Sequence, residues 1–385
     1  MPTAPLKIAM LGLRGVDGKL SGGVESHVAE LSARMARRGH EVTVFCRAGY
    51  VPPQPGEYRG ARRVVVPAVH TKHLEAITHT FCAMPSVVCG FDIVHFHGMG
   101  PSLMSWAPRL FGRRVVATAH GLDFLRAKWG MAARTALRAG AWCLGRFPHE
   151  TIAVSRKLRD YYIEHMGRFT HYIPNGVNQP AMRDLDALAE RFDLVRGEYI
   201  LSLGRLTPEK GAHYLVEAFR GMDTSFKLVV AGDELFDNRY SARLRELAGG
   251  DRRIVFTGGL YGADKDEAFA NAAAFVLPSD LEGMPIAMLE AMSYGCPVLS
   301  SDIAECDEIW DEAERRGAGT ICSSFAAANV NDLRRALEAL LRDPGRIAMG
   351  ARAREYVLSR YDWDEIADAT LDVYAAALGG KRREG

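Results

Sequence analysis

The 385-residue chain lacks any run of eighteen uncharged apolar residues, so no transmembrane helix is expected. Its first apolar stretch, Ile8–Leu13, is too short for a signal peptide and runs directly into Arg14, so none is expected either. The seven cysteines, an odd number, include no Cys-x-x-Cys pair. That argues against a disulfide framework or a zinc site and for reduced thiols in a cytoplasmic protein. No Gly-x-Gly-x-x-Gly is present, and the second strand-like run ends in Cys46–Arg47 without an acid for a ribose, so a nicotinamide dehydrogenase is not expected. Internal repeats and low-complexity tracts are also missing. What remains is the composition of a folded protein, 48% apolar and 25% charged, long enough for two domains. The net charge of +1 hides an asymmetry. Residues 1–180 hold 23 Lys and Arg against 11 Asp and Glu, whereas the remainder holds 25 against 36. A basic first half suits an anionic acceptor or membrane surface, and no nucleic-acid partner is expected.

Short β-rich runs alternate with helical segments through the first half. Lys7–Gly12 reads as a buried strand and Gly22–Arg38 as an amphipathic helix stopped at Gly39. Further strand-like runs lie at Val42–Arg47, Val64–Ala68, Ile93–His97, Val115–His120, Thr151–Ser155 and His171–Pro174. Helices such as His73–Cys89 and Met131–Leu144 separate most of them, which predicts a parallel sheet covered on both faces. The rhythm stops at Pro174–Val177, and the polar stretch 179–197 reads as a linker. A second series follows at Tyr199–Leu203, Lys227–Ala231, Ile254–Thr257, Ala274–Leu277 and Pro297–Ser300. The expected architecture is therefore α/β, with two Rossmann-like doubly wound domains, residues 1–178 and 198–361. Ligands of open α/β sheets bind at the C-terminal ends of the strands. Two such sheets facing each other would leave a deep cleft, and every motif below falls at a strand end.

The segment Pro278–Met292, PSDLEGMPIAMLEAM, follows a strand, turns at Gly283 and enters a helix at Pro285, a favoured first helical residue. Glu282 and Glu290 stand eight residues apart, a helical rise of ~12 Å. Glycosidase carboxylate pairs stand ~5–9.5 Å apart, so a hydrolase pair is not expected. From Met284 to Met292 the only polar residue is Glu290. Burying even a neutral polar group without partners costs ~2–7 kcal/mol, so Glu290 needs donors. Ribose hydroxyls would supply them; pairing with a buried arginine is the alternative. At the helix start, backbone N–H groups of Gly283, Met284 and Ile286 suit a phosphate. Glu282, just ahead of them, would reach the sugar beyond.

Leu203–Gly211, LGRLTPEKG, also follows a strand. Thr207–Pro208 reads as an N-cap and first helical residue, placing Lys210 in the first turn with Arg205 close by. Cations gathered at a helix start make sense when a dianionic leaving group lies between them. The loop Gly12–Glu25 joins the first strand to the first helix, and Gly22–Gly23 permits close approach of a phosphate or sugar. In Thr118–Phe124, TAHGLDF, His120 would point into the cleft. His95 and His97 alternate on a strand, yet are read as core or rim residues, and no metal site is expected. The Asp-x-Asp triplets at 184–186, 264–266 and 362–364 do not follow buried strands, so none reads as a metal–diphosphate site.

Taken together, GGVE (Gly22–Glu25), SLGRLTPEKG (Ser202–Gly211) and EGMPIAMLE (Glu282–Glu290) resemble family 4 retaining glycosyltransferases of the GT-B fold, over nearly the whole chain. HGLDFLRAKWG (His120–Gly130) is similar to a bacterial subgroup that builds surface polysaccharides, although Phe124 stands where that subgroup often has Trp. The resemblance implies that Glu290 binds the ribose, Glu282 the donor sugar, and Arg205 and Lys210 the diphosphate. Gly23 would touch the diphosphate from the first domain, and His120 would sit beside the reacting carbon. It also implies retention at that carbon, no cofactor and no essential metal. A last helix, within residues 362–380, would cross back onto the first domain, carrying Trp363 and Tyr374. The expected donor is a UDP- or GDP-sugar, and the acceptor a glycan or lipid-linked intermediate. Arg126, Lys128, Trp129, Arg134 and Arg138 would favour peripheral contact with the inner face of the plasma membrane. A sugar-nucleotide epimerase and a non-catalytic sugar-nucleotide sensor are the alternatives.

Overall fold

In a computed structural model, residues 4–16, 22–71, 74–126, 129–233 and 239–379 are described. The chain forms two compact units, Met1–Gly176 with Trp363–Gly385, and Val177–Asp362.

The first unit is built on eight strands: β1 Lys7–Leu11, β2 Glu41–Arg47, β3 Gly56–Tyr58, β4 Ala61–Val66, β5 Ile93–His97, β6 Arg114–Ala119, β7 Glu150–Ala153 and β8 His171–Tyr172. Their order is β3-β4-β2-β1-β5-β6-β7-β8, parallel throughout except for the β3–β4 hairpin. Segments such as KIAML and IVHFH are buried on both faces of the sheet, as a helix-covered parallel sheet requires. The hairpin was not foreseen. Its two-residue turn, Arg59–Gly60, has both φ angles positive (49° and 89°), the conformation that closes tight hairpins, but Arg-Gly is not among its usual signals. On one face, Val28, Leu31 and Met35 from the helix Gly23–Arg37 join Trp363, Leu371 and Tyr374 from the helix Trp363–Ala377 in a single core.

The second unit has six strands, all parallel: β9 Tyr199–Leu203, β10 Lys227–Ala231, β11 Ile254–Gly258, β12 Ala274–Leu277, β13 Val298–Ser301 and β14 Ser323–Phe325, in the order β11-β10-β9-β12-β13-β14. Leu215, Phe219, Leu333, Leu337 and Met349 seal one side of this sheet. The short edge strand β14 was not foreseen.

The stretch expected as a linker, 179–197, belongs to the second unit. It carries the helix Ala187–Phe192, whose Leu188 is fully buried. The Glu267 carboxylate accepts the backbone N–H groups of Asp186 and Leu188 at 2.6 and 2.8 Å and so satisfies the helix start. A cap supplied from eighty residues away leaves no local trace in the sequence. Among the described residues no helix is long and apolar enough to cross a membrane.

In each sheet the strand order reverses at one point, between β1 and β5 in the first unit and between β9 and β12 in the second. Neighbouring loops diverge at such a point and leave a crevice. The motif loops Leu203–Gly211 and Pro278–Glu282 follow the two strands that flank the switch in the second unit.

Candidate active site

The loops after β9 and β12 are locked together. Gly211 has φ +68°, and a Cβ placed on it would stand 1.8 Å from the Pro278 carbonyl oxygen. Gly211→Ala is therefore expected to cost about 2 kcal/mol from backbone strain and forced separation of the loops; thermal unfolding of the two proteins measures it. The Asp280 N–H donates to the Glu209 carbonyl at 2.9 Å, closing the junction from the other side. Thr207 precedes a short 3-10 turn, Pro208–Lys210, but its hydroxyl does not cap that turn.

This junction brings Lys210 onto Glu282. The ammonium lies 2.5 Å from Glu282 Oε1, which also accepts the Ser279 hydroxyl at 2.7 Å. Lys210 was expected as a bare cation; in the structure its charge is balanced by a buried carboxylate that fixes its direction. Arg205, half-buried, follows the same strand, and its neighbour Leu206 donates its N–H to the Asp233 carbonyl at 3.2 Å.

The helix of the Glu-x7-Glu segment spans Ile286–Ser293, with Pro285 as its N-cap and not its first helical residue. Its first backbone bonds run from Met288 and Leu289 to the Pro285 carbonyl. The N–H groups of Ile286 and Ala287 thus have no acceptor within the helix. Gly283 and Met284 are buried in the turn before it. Glu290 is half-buried and pairs with Lys265, Nζ to Oε1 2.7 Å, from the helix Ala263–Asn271. Neither a solitary acid nor an arginine pair, the two readings of the sequence, describes it. Lys265 was missed because a lysine on a polar helix carries no mark of its own.

Asp233, at the end of β10, was missed as well. Its carboxylate accepts the Gly259 N–H at 2.8 Å and the Tyr261 hydroxyl at 2.7 Å, pinning the turn after β11.

In the first unit, Gly12 (φ +113°) presses on β5: a Cβ there would stand 2.2 Å from the His97 carbonyl oxygen. Gly22 is the extended N-cap of the helix Gly23–Arg37, and Gly23, exposed, is its first residue. Glu25 turns back to the Arg14 N–H at 3.3 Å and its guanidinium at 3.5 Å. Residues 17–21 of this loop lie outside the described residues. Four histidines gather beside it. His97 Nδ1 lies 3.1 Å from Nε2 of half-buried His120. The His27 ring sits 4.7 Å from that of His120, and its Nδ1 is 2.9 Å from Asn175 Oδ1. His95 bonds Tyr374 and Thr118 at 2.7 and 2.8 Å. Burial holds all four neutral, His27 down to about 4, and the buried His79 falls to about 3.

This has a measurable consequence. In the unfolded chain each of these histidines titrates near ~6.5, so between that pH and the lowered folded values the unfolded state binds more protons. Stability is then fully present above about 6.5 and falls as the pH drops. A loss of about 1.6 kcal/mol from pH 6.5 to 5 is expected from one such group. Denaturant midpoints across this range test it; a flat profile would contradict neutral burial.

Acids of two Asp-x-Asp triplets are engaged in the fold: Asp264 pairs with Arg191, Asp266 accepts the Tyr294 hydroxyl, and Asp364 pairs with Arg38.

Residues 21–179 match glycosyltransferase family 4, and residues 190–358 match the family described as glycosyl transferases group 1. The phosphatidyl-myo-inositol mannosyltransferase of Mycobacterium leprae is 30% identical, over 94% of this chain and 95% of its own length. The chain is a family 4 glycosyltransferase. A GDP-mannose-dependent alpha-(1-6)-phosphatidylinositol monomannoside mannosyltransferase of Mycobacterium tuberculosis is 29% identical over 91% of this chain and 94% of its own. In fold, the glycosyltransferase is similar to sucrose-phosphate synthase from Thermosynechococcus elongatus, with a TM-score of 0.80 at 20% identity, covering 97% of this chain and 99% of the other. It is also similar to Anabaena HepE in complex with UDP and glucose, with a TM-score of 0.79 at 18% identity, covering 96% and 100%. Its two Rossmann-like domains are those of the GT-B fold.

Proposed function

We propose that this glycosyltransferase moves a hexose-type sugar from a nucleoside-diphosphate donor to a lipid-linked or glycan acceptor in cell-envelope or exopolysaccharide assembly, with retention at the anomeric carbon. The observation that carries the reading is the junction of Lys210 and Glu282 at the switch point of the second sheet, beside a helix start. It offers a directed cation and backbone N–H groups to one diphosphate. In this reading Arg205 and Lys210 bind the diphosphate, with the N–H groups at Gly283, Met284 and Ile286. Glu290 exchanges Lys265 for the ribose hydroxyls, and Glu282 meets a sugar hydroxyl. The turn pinned by Asp233 takes the base. The mannosyltransferase relatives favour GDP-mannose as donor and an inositol lipid as acceptor.

Retention, with no carboxylate nucleophile evident beside His120 among the described residues, favours a front-face route. The acceptor oxygen bonds to the anomeric carbon on the side from which the phosphate leaves. The bond from that carbon to the phosphate oxygen breaks, and the hydroxyl proton passes to the departing phosphate. Neutral His120 and Gly23 of the first unit are assigned to the donor sugar and diphosphate. Because Arg205, Lys210 and the helix start can meet the leaving charge, no metal is required for transfer.

Incubation with a panel of UDP- and GDP-sugars, with and without phosphatidylinositol vesicles, tests the reading. Nucleoside diphosphate released only with acceptor supports it. Interconversion of the sugar nucleotide without acceptor would indicate an epimerase, and binding without release a sensor.

The acceptor side of this reading adds peripheral contact with the cytoplasmic face of an anionic membrane. Of the segment expected to make it, Arg134 and Arg138 are exposed, Arg126 is paired with Asp123, and Trp129 is half-buried. Lys128 lies outside the described residues. A better candidate is the short helix Trp106–Leu110 and its end, where Trp106, Leu110 and Phe111 are 45%, 76% and 59% exposed beside exposed Arg109 and Arg114. Such a mixture suits a headgroup layer. Sedimentation with anionic liposomes at low salt is expected for the wild type and sharply reduced for Trp106→Ala/Leu110→Ser.

A further inference from the structure

The histidine pair that alternates on β5 does not work as a pair. Both ring nitrogens of His95 are engaged, by Tyr374 and Thr118, so His95 has no lone pair to offer. His97 instead faces two histidines from other elements: His27, on the helix that follows β1, and His120, at the end of β6. One ring nitrogen from each of His27, His97 and His120 can be chosen so that all three lie within 4.8 Å of one another. The ring centroids are 5.5, 4.7 and 5.4 Å apart. Around a tetrahedral ion bound at ~2.0–2.1 Å, three imidazole nitrogens stand about 3.3 Å apart. His97 Nδ1 and His120 Nε2 already stand near that spacing, at 3.1 Å, and the third nitrogen closes from within 4.8 Å by ring rotation.

Other features fit a cation. Neutral imidazoles are the form that ligates metals, and burial keeps these three neutral. Asn175 Oδ1, 2.9 Å from His27 Nδ1, accepts a hydrogen bond from an N–H there and leaves the lone pair on Nε2, the kind of outer support that orients a ligating histidine. His27 and His97 are almost wholly buried while His120 is half-buried, which leaves an approach from one side.

We propose that His27, His97 and His120 form a site for one divalent transition ion of the zinc, cobalt or nickel class, at the C-terminal edge of the first sheet. Three nitrogens with no carboxylate select such ions over magnesium or calcium. A histidine triad fills three tetrahedral positions and leaves a fourth open. Binding itself stands apart from the transfer reaction. Its consequence rests on the proposed function: an ion on His120 removes that ring from the donor sugar, so zinc inhibits transfer.

Cobalt(II) added to the metal-free full chain gives the test, since its visible ligand-field bands report coordination directly. One equivalent is expected to develop the intense bands of a four-coordinate site, and X-ray absorption at the cobalt edge is expected to show imidazole scattering from three rings. His120→Asn and His27→Gln, each checked by circular dichroism for an intact fold, are expected to lose the bands, and exposed His165→Ala to keep them. Absence of the bands in the wild type would overturn the site, as would thiolate-to-cobalt charge transfer or bands unchanged in both variants. In a transfer assay, zinc is expected to abolish turnover and a chelator to restore it. If cobalt binds and no transfer is found under any condition, the function fails and the site stands. Transfer without cobalt bands has the opposite meaning.

Discussion

Replacing Lys210 by alanine is expected to lower kcat about 10²–10³-fold while donor affinity changes much less. The asymmetry follows from where charge develops. In the proposed function the diphosphate is shared, before reaction, among Arg205, Lys210 and the N–H groups of a helix start. As the glycosidic bond breaks, the departing oxygen gains negative charge, and a cation already aimed at it stabilises that moment most. Removing one preorganised donor of this kind costs about 10²–10³ in turnover. The structure supplies the preorganisation: Glu282 holds the ammonium at 2.5 Å, and Ser279 in turn holds Glu282. Lys210→Ala also leaves a buried carboxylate without its cation, so the thermal midpoint must be recorded alongside. Lys210→Arg, which keeps the charge, is expected to recover only part of the rate because its fork cannot occupy the position of a point charge. Wild-type turnover in Lys210→Ala would remove this residue from the chemistry.

Glu290→Ala is expected to weaken nucleoside-diphosphate binding about 10–100-fold, the range set by about 1.5–3 kcal/mol for hydrogen bonds to a charged group. Its effect on kcat at saturating donor should be smaller than that of Lys210→Ala, since the ribose lies away from the breaking bond. Lys265 provides an internal comparison. It pairs with Glu290 at 2.7 Å, so a ribose bound at Glu290 would compete with it. Lys265→Ala is therefore expected to leave nucleotide affinity equal or raised, whereas a lysine that bound phosphate directly would show a loss. Isothermal titration with GDP and UDP separates these outcomes.

The parts of this molecule that could be read in its sequence are those governed by local periodicity. Buried strands such as KIAML and ILSL announce themselves because a parallel sheet covered on both sides tolerates only apolar residues. Loops rich in glycine at their ends were equally visible. What escaped depends on partners distant in sequence. The Arg59–Gly60 turn, the Glu267 cap on the helix 187–192, the Lys265–Glu290 pair and the approach of His27 to His120 each join segments that local patterning cannot connect. Local patterning reads Lys210 and Glu282 on separate motifs; the fold pairs them, and it gives Glu290 a partner, Lys265, that no motif marks.

The final helix, Trp363–Ala377, lies in the core of the first unit, and its Tyr374 hydroxyl is the partner of His95. Ribosomal synthesis delivers that helix only after the whole of the second unit has emerged. The earlier-made lobe therefore waits, with Val28, Leu31 and Met35 lacking their cover, until residues 363–377 have been made. Stop codons placed just before residue 363 should yield a product that chaperones retain, although every strand of both sheets has been made.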